Sequence, residues 1–308
     1  MLAVDGHALP HNRSVHKHFG VPELDGRLRY DVGGEVDRVG KRSRLVVTVA
    51  WLSVLVLSPA ICAAAHDASP PDLSGRWITL QRFVAIADFP FLGEVALQTT
   101  VGLLSEISQD GSCLTLSDAY CFSDVDVSTD LFVTDVPDVA MQSIEPEARA
   151  AEIRIETNRI RIVQDWQTEV RGAVLDDPTN DALPTYRSDP RVIDMDGDGQ
   201  PGFTIPAAIV DLFGGDTYVV QRFRYRLEGI LVDPNTIIGL IEWSTEQVVL
   251  WATDALLMLP YGQSIDPDPT VHRFLMRRID ETWTCNSIRE RAAPLLELLD
   301  ASGFSESV

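Results

Sequence analysis

Residues 194–202 carry the clearest chemical signal in the sequence. Aspartates occupy positions 194, 196 and 198, and Gly199 follows them directly. Calcium binds about six to eight oxygen ligands, and carboxylates at i, i+2 and i+4 reach one ion only where the chain turns sharply. Glycine permits such a turn. The pattern predicts a calcium site in which Asp194, Asp196 and Asp198 supply side-chain oxygens and Gln200 supplies a backbone carbonyl.

This loop departs from an EF-hand, because Ile205 stands where the bidentate glutamate of an EF-hand would be. It resembles instead the D-x-D-x-D-G loops of thrombospondin type 3 and dockerin-like modules. The resemblance implies that an acid from outside the first positions completes the shell, and Asp189 and Asp211 are the candidates. The alternative is an acidic turn without a metal, since aspartate and glycine are common turn formers.

The first part of the chain predicts export. A basic segment, Lys41-Arg42-Ser43-Arg44, precedes an apolar run over residues 45–57 and the small residues 63–65. This order is typical of a signal peptide over 45–65, cleaved near Ala65. The run is shorter than the ~20 residues that span a bilayer, so no membrane insertion is expected after cleavage. We interpret residues 1–44 as an unstructured leader that a mis-assigned start codon would explain, 66–74 as a linker and 75–308 as one β-barrel domain.

The charge of the predicted mature chain restricts its partners. Residues 1–65 hold 8 of the 25 basic and 6 of the 46 acidic residues, which leaves 17 basic and 40 acidic residues, or −23. Such a surface repels nucleic acid and anionic membranes and attracts divalent cations. Three cysteines remain, and export favours oxidation of two of them. Cys121–Cys285 would tie the C-terminal segment to the domain, whereas Cys113–Cys121 would close a local segment; the sequence favours the first weakly.

Period-two alternation dominates the predicted domain. Val95, Leu97, Thr99, Val101 and Leu103 alternate with small or polar residues, which indicates a half-buried strand ending near the turn signal at Asp110-Gly111. A hairpin about Thr157-Asn158 would place Ile155 opposite Ile160 and Ile153 opposite Ile162. A tight turn at Ser244-Thr245 would place Ile241 opposite Val248. Helix-like patterns are short: residues 145–151, 204–212 and 288–299, the last containing Pro294. Short strands without a βαβ rhythm predict an all-β antiparallel barrel or sandwich.

The entry to the first strand, Gly75-Arg76-Trp77, resembles the G-x-W motif of lipocalin-like (calycin) barrels. The resemblance implies a tryptophan at the barrel floor with an arginine of the last strand packed across it, for which Arg273, Arg277 and Arg278 are candidates. It implies an antiparallel lipocalin-like β-barrel of about 8–10 strands. Residues 172–217 would form a long acidic loop insertion, and a short helix would end the chain.

Other residue patterns favour structure over catalysis. Arg222, Arg224 and Arg226 share one face of a predicted strand, where they could line an anion-binding cavity or, as we favour, pair with nearby carboxylates on a solvated face. No serine lies in a nucleophile-elbow motif for which His272 could act as the base, and the sequence contains no zinc or phosphate-binding motif. We therefore assign no catalytic residue, and calcium is the one cofactor that the sequence predicts.

Three function classes follow. The sequence favours an exported, non-catalytic, calcium-binding barrel that holds a small apolar or amphipathic ligand in a lumen on the order of several hundred Å³. The second is an extracellular structural or interaction protein, with a filled barrel and an exposed apolar patch near residues 172–217. The third is a hydrolase, which would need two carboxylates facing each other across a cleft.

Overall fold

The computed structural model describes residues 69–89 and 92–301. The predicted leader and export signal lie outside the described residues. Eleven strands and two α-helices are present in the described part. The strands are β1 (Gly75–Phe89), β2 (Gly93–Asp110), β3 (Cys113–Val127), β4 (Phe132–Thr134), β5 (Arg149–Ile155), β6 (Ile160–Arg171), β7 (Phe203–Ile209), β8 (Phe213–Asp233), β9 (Thr236–Ala252), β10 (Gly262–Ile265) and β11 (Arg273–Arg278). The helices are α1 (Asp138–Gln142) and α2 (Cys285–Ala301).

Eight strands close into a ring in which neighbours are antiparallel. The order is β1-β2-β3-β5-β6-β8-β9-β11, and β11 pairs again with β1. Closure gives each of these strands two hydrogen-bonded neighbours, although β3 pairs with β5 over residues 113–116 only. The predicted all-β antiparallel barrel with a C-terminal helix is confirmed.

Three further strands extend one end of the ring. The long strand β8 pairs with β6 over residues 221–230 and with β7 over residues 213–219. Strand β7 pairs with β4, and Val136, just after β4, forms an isolated bridge to Ser123 of β3. Strand β10 pairs with the last residues of β1. We call the end that carries β4, β7 and β10 the open end, and the end at Trp77 the floor.

The floor is closed around Trp77, which is fully buried. Its indole Nε1 donates to the Leu73 carbonyl at 2.9 Å, and the Arg278 guanidinium lies 4.8 Å from the ring centroid. Arg278 also donates to the carbonyl of Asp72 at 2.8 Å. Of the three candidate arginines, Arg278 therefore makes the contact that the G-x-W resemblance implies, although a shared family stays a prediction.

Helix α2 packs on the outside of the barrel. Ile288 and Ala292 of the helix are fully buried against the outward-facing Ile78 and Leu80 of β1 and Phe122 of β3. A disulfide between Cys121 of β3 and Cys285 at the start of α2 ties the helix to this wall. The favoured cysteine pairing is confirmed. No helix of residues 69–89 and 92–301 is both long and apolar enough to span a bilayer.

The predicted turn at Ser244-Thr245 is wrong. Strand β9 continues through it, with Ser244 opposite Arg224 and Thr245 opposite Phe223 of β8. Ile241 consequently lies opposite Leu227 and not opposite Val248. A continuous partner on β8 satisfies the backbone of both polar residues, so the chain has no reason to turn there.

Two predicted helices are also wrong, whereas the short hairpin is confirmed. Residues 149–155 form β5 and residues 203–209 form β7, because pairing with neighbouring strands overrides weak local helix propensity. In the β5–β6 hairpin, Ile155 lies opposite Ile160 and Ile153 opposite Ile162, as the sequence predicts. The C-terminal helix is longer than expected and runs through Pro294.

Candidate functional site

The open half of the barrel contains a cavity of about 220 Å³. The floor half is filled by core side chains, so the lumen is only partly hollow and smaller than predicted. Leu256 and Leu259 line the cavity and are 46% and 39% exposed, which places its mouth at the open end. Most of the lining is apolar. It includes Phe83, Ala85, Phe89, Leu97, Val101, Val125, Phe132, Phe203, Ile205, Ala207, Ile209, Phe213, Phe223, Trp243 and Val249.

Polar side chains line the inner end of this cavity, and others, including Thr134, Thr217 and Gln263, line it nearer the mouth. Gln81 is the lining residue of β1 nearest to the floor, and Tyr120 is the corresponding residue of β3. Arg171, the last residue of β6, lies opposite Gln221 of β8. Among the described residues, Arg171 is the one charged side chain in the lining. The cavity therefore combines an apolar wall with a polar, cationic inner end.

The buried carboxylate of Glu169 stands behind this inner end. The Tyr120 hydroxyl donates to Glu169 Oε1 and Oε2 at 2.9 and 2.8 Å, and the Tyr225 hydroxyl donates to Oε1 at 3.2 Å. Burial, and then the charge of Glu169, hold the pKa of Tyr120 and of Tyr225 well above the ordinary value of 10.0. Both phenols therefore remain protonated donors to the carboxylate.

Arg171 is surrounded by aromatic rings. Its guanidinium carbon lies 5.5 Å from the ring centroid of Tyr120, 5.7 Å from that of Phe223 and 6.0 Å from that of Phe203. One amino group donates to Gln221 Oε1 at 3.3 Å, and the other lies 3.5 Å from Glu169 Oε2. The Nε of Arg171 and the Nε2 of Gln81 have no hydrogen-bond partner among the described residues. The inner end thus has N–H donors that the described part of the chain leaves unpaired.

The raised pKa of the two tyrosines leads to a testable pH dependence. A tyrosine whose folded pKa exceeds its unfolded pKa keeps its proton in the folded state, so its contribution to stability is complete below about pH 10 and is lost as pH rises above it. We expect Tyr120 and Tyr225 to ionise only as the barrel unfolds in alkali. Tyrosinate absorbance and far-ultraviolet circular dichroism, followed together through an alkaline titration, measure this.

The variants Tyr120→Phe and Tyr225→Phe assign the signal. Each should remove one tyrosine from the absorbance change that accompanies unfolding. A contrary result is a smaller absorbance change in a variant than in the wild type at pH values where the barrel is still folded. That result would mean that the replaced tyrosine ionises in the folded protein, which contradicts the prediction.

The acidic loop lies beside the cavity wall. Oxygen atoms of Asp194, Asp196 and Asp198 lie within 4.8 Å of one another. Two oxygens on opposite sides of one calcium ion are at most about 5 Å apart, so the spacing fits a single ion. Gly199, at φ 86°, makes the sharp turn that the sequence pattern requires.

Internal hydrogen bonds hold the loop in this shape. Asp194 accepts from the backbone N–H of Gly197 at 2.8 Å and of Gly199 at 2.9 Å, and Asp198 accepts from that of Gln200 at 2.7 Å. One oxygen of Asp196, Oδ1, is buried and has no hydrogen-bond partner in the described chain. Asp196 Oδ1 is accordingly a buried carboxylate oxygen that receives no hydrogen bond from the described residues.

The loop is joined to the strand that follows it. The backbone N–H of Thr204 donates to Asp196 Oδ2 at 2.9 Å, and its hydroxyl donates to Asp198 Oδ2 at 3.2 Å. Thr204 belongs to β7, whose Phe203 and Ile205 line the cavity. The position that an EF-hand would give to a glutamate is therefore part of the cavity wall here.

Neither proposed outer acid joins the aspartate group. Asp189 is buried and forms an ion pair with Arg191 at 2.8 Å, while Asp211 occupies the turn between β7 and β8 with φ 62°. Within the described residues, the group close enough to share an ion consists of Asp194, Asp196 and Asp198 alone. Backbone carbonyls and solvent would have to supply the remaining ligands.

The arginine that lines the cavity is not one of those singled out in the sequence. Arg222, Arg224 and Arg226 lie on the outward face of β8, and as we favoured Arg222 pairs with Glu246 at 2.7 Å and Arg226 with Glu242. Arg224 lies over the ring of the half-exposed Trp166. The predicted solvated face is wrong at Arg222, which is buried and donates to the carbonyls of Pro178 and Asp181.

His272 has a structural place in the wall. It is buried, and its Nδ1 accepts from the Trp243 indole at 3.1 Å and from the backbone N–H of Val84 at 3.3 Å. Its Nε2 lies 2.9 Å from the carbonyl of Asp266, which assigns the proton to Nε2. These contacts fasten the segment before β11 to β1 and β9.

Comparison of the chain with protein-family models, with curated proteins and with solved structures found no match. Its function therefore has to be inferred from the cavity and the loop themselves.

Proposed function

We propose that this protein is an exported, non-catalytic binding protein. Its cavity holds a small apolar or amphipathic molecule, and its acidic loop binds calcium. The observation that carries the proposal is the cavity of about 220 Å³, apolar along its walls, polar at its inner end and open at the other. Ligand sites are typically apolar concavities with a few placed polar groups.

The cavity size sets the ligand size. A cavity of about 150 Å³ lined by apolar side chains holds benzene, so this one has room for about nine non-hydrogen atoms. A longer molecule would extend through the mouth, where Leu256, Leu257 and Leu259 offer apolar surface. The ligand class is therefore small, or slender and partly exposed.

Two features support export and calcium. The disulfide Cys121–Cys285 suits an oxidising compartment, in agreement with the predicted signal peptide. The aspartate group is hydrogen-bonded to β7, so a bound calcium would order a strand of the cavity wall. The metal would then act on ligand binding through structure and not through catalysis.

The two other function classes, a structural protein with a filled barrel and a hydrolase, agree less well with the cavity. A filled barrel does not agree with the cavity, although exposed apolar residues such as Val174 and Leu212 do occur near residues 172–217. A hydrolase of the predicted type would need two carboxylates facing each other. In the described part of the chain, no aspartate or glutamate lines the cavity.

Binding in the cavity is tested with octanol, whose size of about nine non-hydrogen atoms matches that of the cavity. We expect isothermal titration calorimetry to show that octanol binds the folded protein. Ala207→Phe, which places a ring in the cavity, should weaken binding by about tenfold because octanol loses apolar contact area.

Ala208→Phe is the matched control, because Ala208 is the next residue of β7 and lies outside the lining. This variant should bind octanol like the wild type. Equal loss in both variants, or a folded wild type that binds neither octanol nor octanoate, would overturn the proposed function.

Calcium binding is tested at Asp196. We expect isothermal titration calorimetry to give one calcium per chain with a Kd on the order of 10⁻⁴–10⁻³ M, the range of extracellular sites. Asp196→Asn should weaken binding by about tenfold or more, since it removes one of three carboxylates. Asp194→Ala is less informative, because Asp194 also accepts the hydrogen bonds that shape the loop.

Asp176→Asn provides the control, since Asp176 is exposed on the same irregular segment but outside the aspartate group. It should bind calcium like the wild type. Wild-type protein that takes up no calcium, or an Asp196→Asn variant of unchanged affinity, would show that the loop is an acidic turn.

A further inference from the structure

The inner end of the cavity has hydrogen-bond donors without acceptors. Gln81 is 1% exposed and Arg171 is largely buried, yet Gln81 Nε2 and Arg171 Nε have no partner among the described residues. A buried donor without an acceptor destabilises the folded protein. Both side chains line the cavity, so a bound molecule could supply the acceptors.

We propose that the cavity binds the carboxylate anion of a short- or medium-chain monocarboxylic acid. Arg171 and Gln81 hold the head group at the inner end, and the hydrocarbon chain follows the apolar wall toward the mouth. The inference rests on the proposed binding function of this cavity. A carboxylate only accepts hydrogen bonds, and the guanidinium fork of arginine matches its two oxygens.

The neighbours of Arg171 leave it available for such a ligand. Glu169 forms an ion pair with Arg171 at 3.5 Å, and its oxygens accept from the hydroxyls of Tyr120 and Tyr225. Within the described residues, the Nε of Arg171 still has no acceptor. The aromatic rings of Phe203 and Phe223 flank the guanidinium and limit its hydration. Removal of water strengthens the attraction between a cation and an anionic head group.

The same lining disfavours a cationic ligand. An ammonium group would approach Arg171, and no carboxylate of the described residues lines the cavity to receive it. A neutral alcohol could accept one hydrogen bond but would gain no charge interaction. The expected order of affinity is therefore carboxylate, then alcohol, then amine.

Octanoate, octanol and octylamine test this order, because they share one hydrocarbon chain of a length that suits the cavity. Isothermal titration calorimetry gives their affinities for the full protein. We expect octanoate to bind roughly 10- to 100-fold more tightly than octanol, as charged hydrogen bonds allow.

Variants assign the selectivity to Arg171 and Gln81. Arg171→Gln should weaken octanoate by about tenfold or more while octanol changes by less than about threefold. Gln81→Met, which keeps the side-chain length, should weaken octanoate by about threefold and leave octanol unchanged. Arg226→Gln, at an outward-facing arginine, should leave both affinities as in the wild type.

The outcomes separate the two proposals. Equal wild-type affinity for octanoate and octanol, tighter binding of octylamine, or equal weakening of octanoate and octanol by Arg171→Gln would overturn the carboxylate head-group site and leave the binding function standing. Failure of all three amphiphiles to bind would instead overturn the binding function. If Arg171→Gln does not fold by circular dichroism, the wild-type selectivity and Gln81→Met decide.

Discussion

Replacing Arg149 with methionine is expected to lower the free energy of unfolding by about 3–5 kcal/mol. The side chains of Arg149 on β5 and Asp118 on β3 are each 1% exposed and form an ion pair inside the barrel. Removing the cation would leave the Asp118 carboxylate charged, buried and without its counter-ion. Equilibrium urea unfolding of the wild type and the variant measures the loss.

The pair is part of a longer buried network, which explains why its loss would be large. Asp118 accepts from the hydroxyl of Ser105 at 2.6 Å, and Ser105 lies 2.8 Å from the hydroxyl of Thr79. On the other side, Arg149 donates to the amide oxygen of Gln164. The network therefore joins β1, β2, β3, β5 and β6 across the interior, and breaking it leaves several polar groups poorly paired.

A second substitution separates loss of charge balance from loss of packing. Adding Asp118→Asn to Arg149→Met removes the unpaired charge and keeps an acceptor for Ser105, so we expect it to recover about half of the lost stability or more. Arg226→Gln breaks the exposed pair with Glu242 and should cost less than about 1 kcal/mol. A double variant no more stable than Arg149→Met would indicate that packing dominates.

Local patterns in the sequence were sufficient to predict the barrel class. The alternation of Val95–Leu103 and the Ile155–Ile160 hairpin depend on residues close in the chain, and both occur in the structure. The turn at Ser244-Thr245 was mispredicted because its backbone partners lie on β8. Closure of the ring decides that β8 pairs with β9, and the residues near Ser244 in the sequence contain no information about that pairing.

The sequence did not predict the inner end of the cavity, because a β-bulge in β6 changes which residues face inward. Strand β6 contains a bulge between Gln164 and Gln167, so the alternation of inward and outward residues changes phase there. Gln164 is buried before the bulge and Glu169 after it, five positions later, which strict alternation would not allow. Strict alternation from the buried Gln164 would instead have placed Glu169 and Arg171 on the outer face of β6. The three loop aspartates, by contrast, are close in sequence, and the structure brings them together as expected.

The disulfide offers the second large effect. Replacing both Cys121 and Cys285 with alanine is expected to lower the free energy of unfolding by up to about 5 kcal/mol, because the bond links residues 164 positions apart and restricts the unfolded chain strongly. Urea unfolding tests this, and the double variant avoids leaving a lone thiol. The slope of unfolding free energy against urea should also increase, since an unlinked unfolded chain exposes more surface.

The same variant shows whether the bond also holds α2 in place. The helix keeps its buried contacts with Ile78, Leu80 and Phe122 through Ile288 and Ala292, so it should stay docked in the native state. Hydrogen exchange should then be unchanged in α2 relative to the wild type, with the loss confined to global unfolding. Rapid exchange in α2 alone, with a barrel of unchanged stability, would mean that the disulfide is a local clamp and that the apolar face of the helix is too small to dock without it. A loss divided between α2 and the barrel would instead indicate that the outward side chains of β1 need the helix to stay buried.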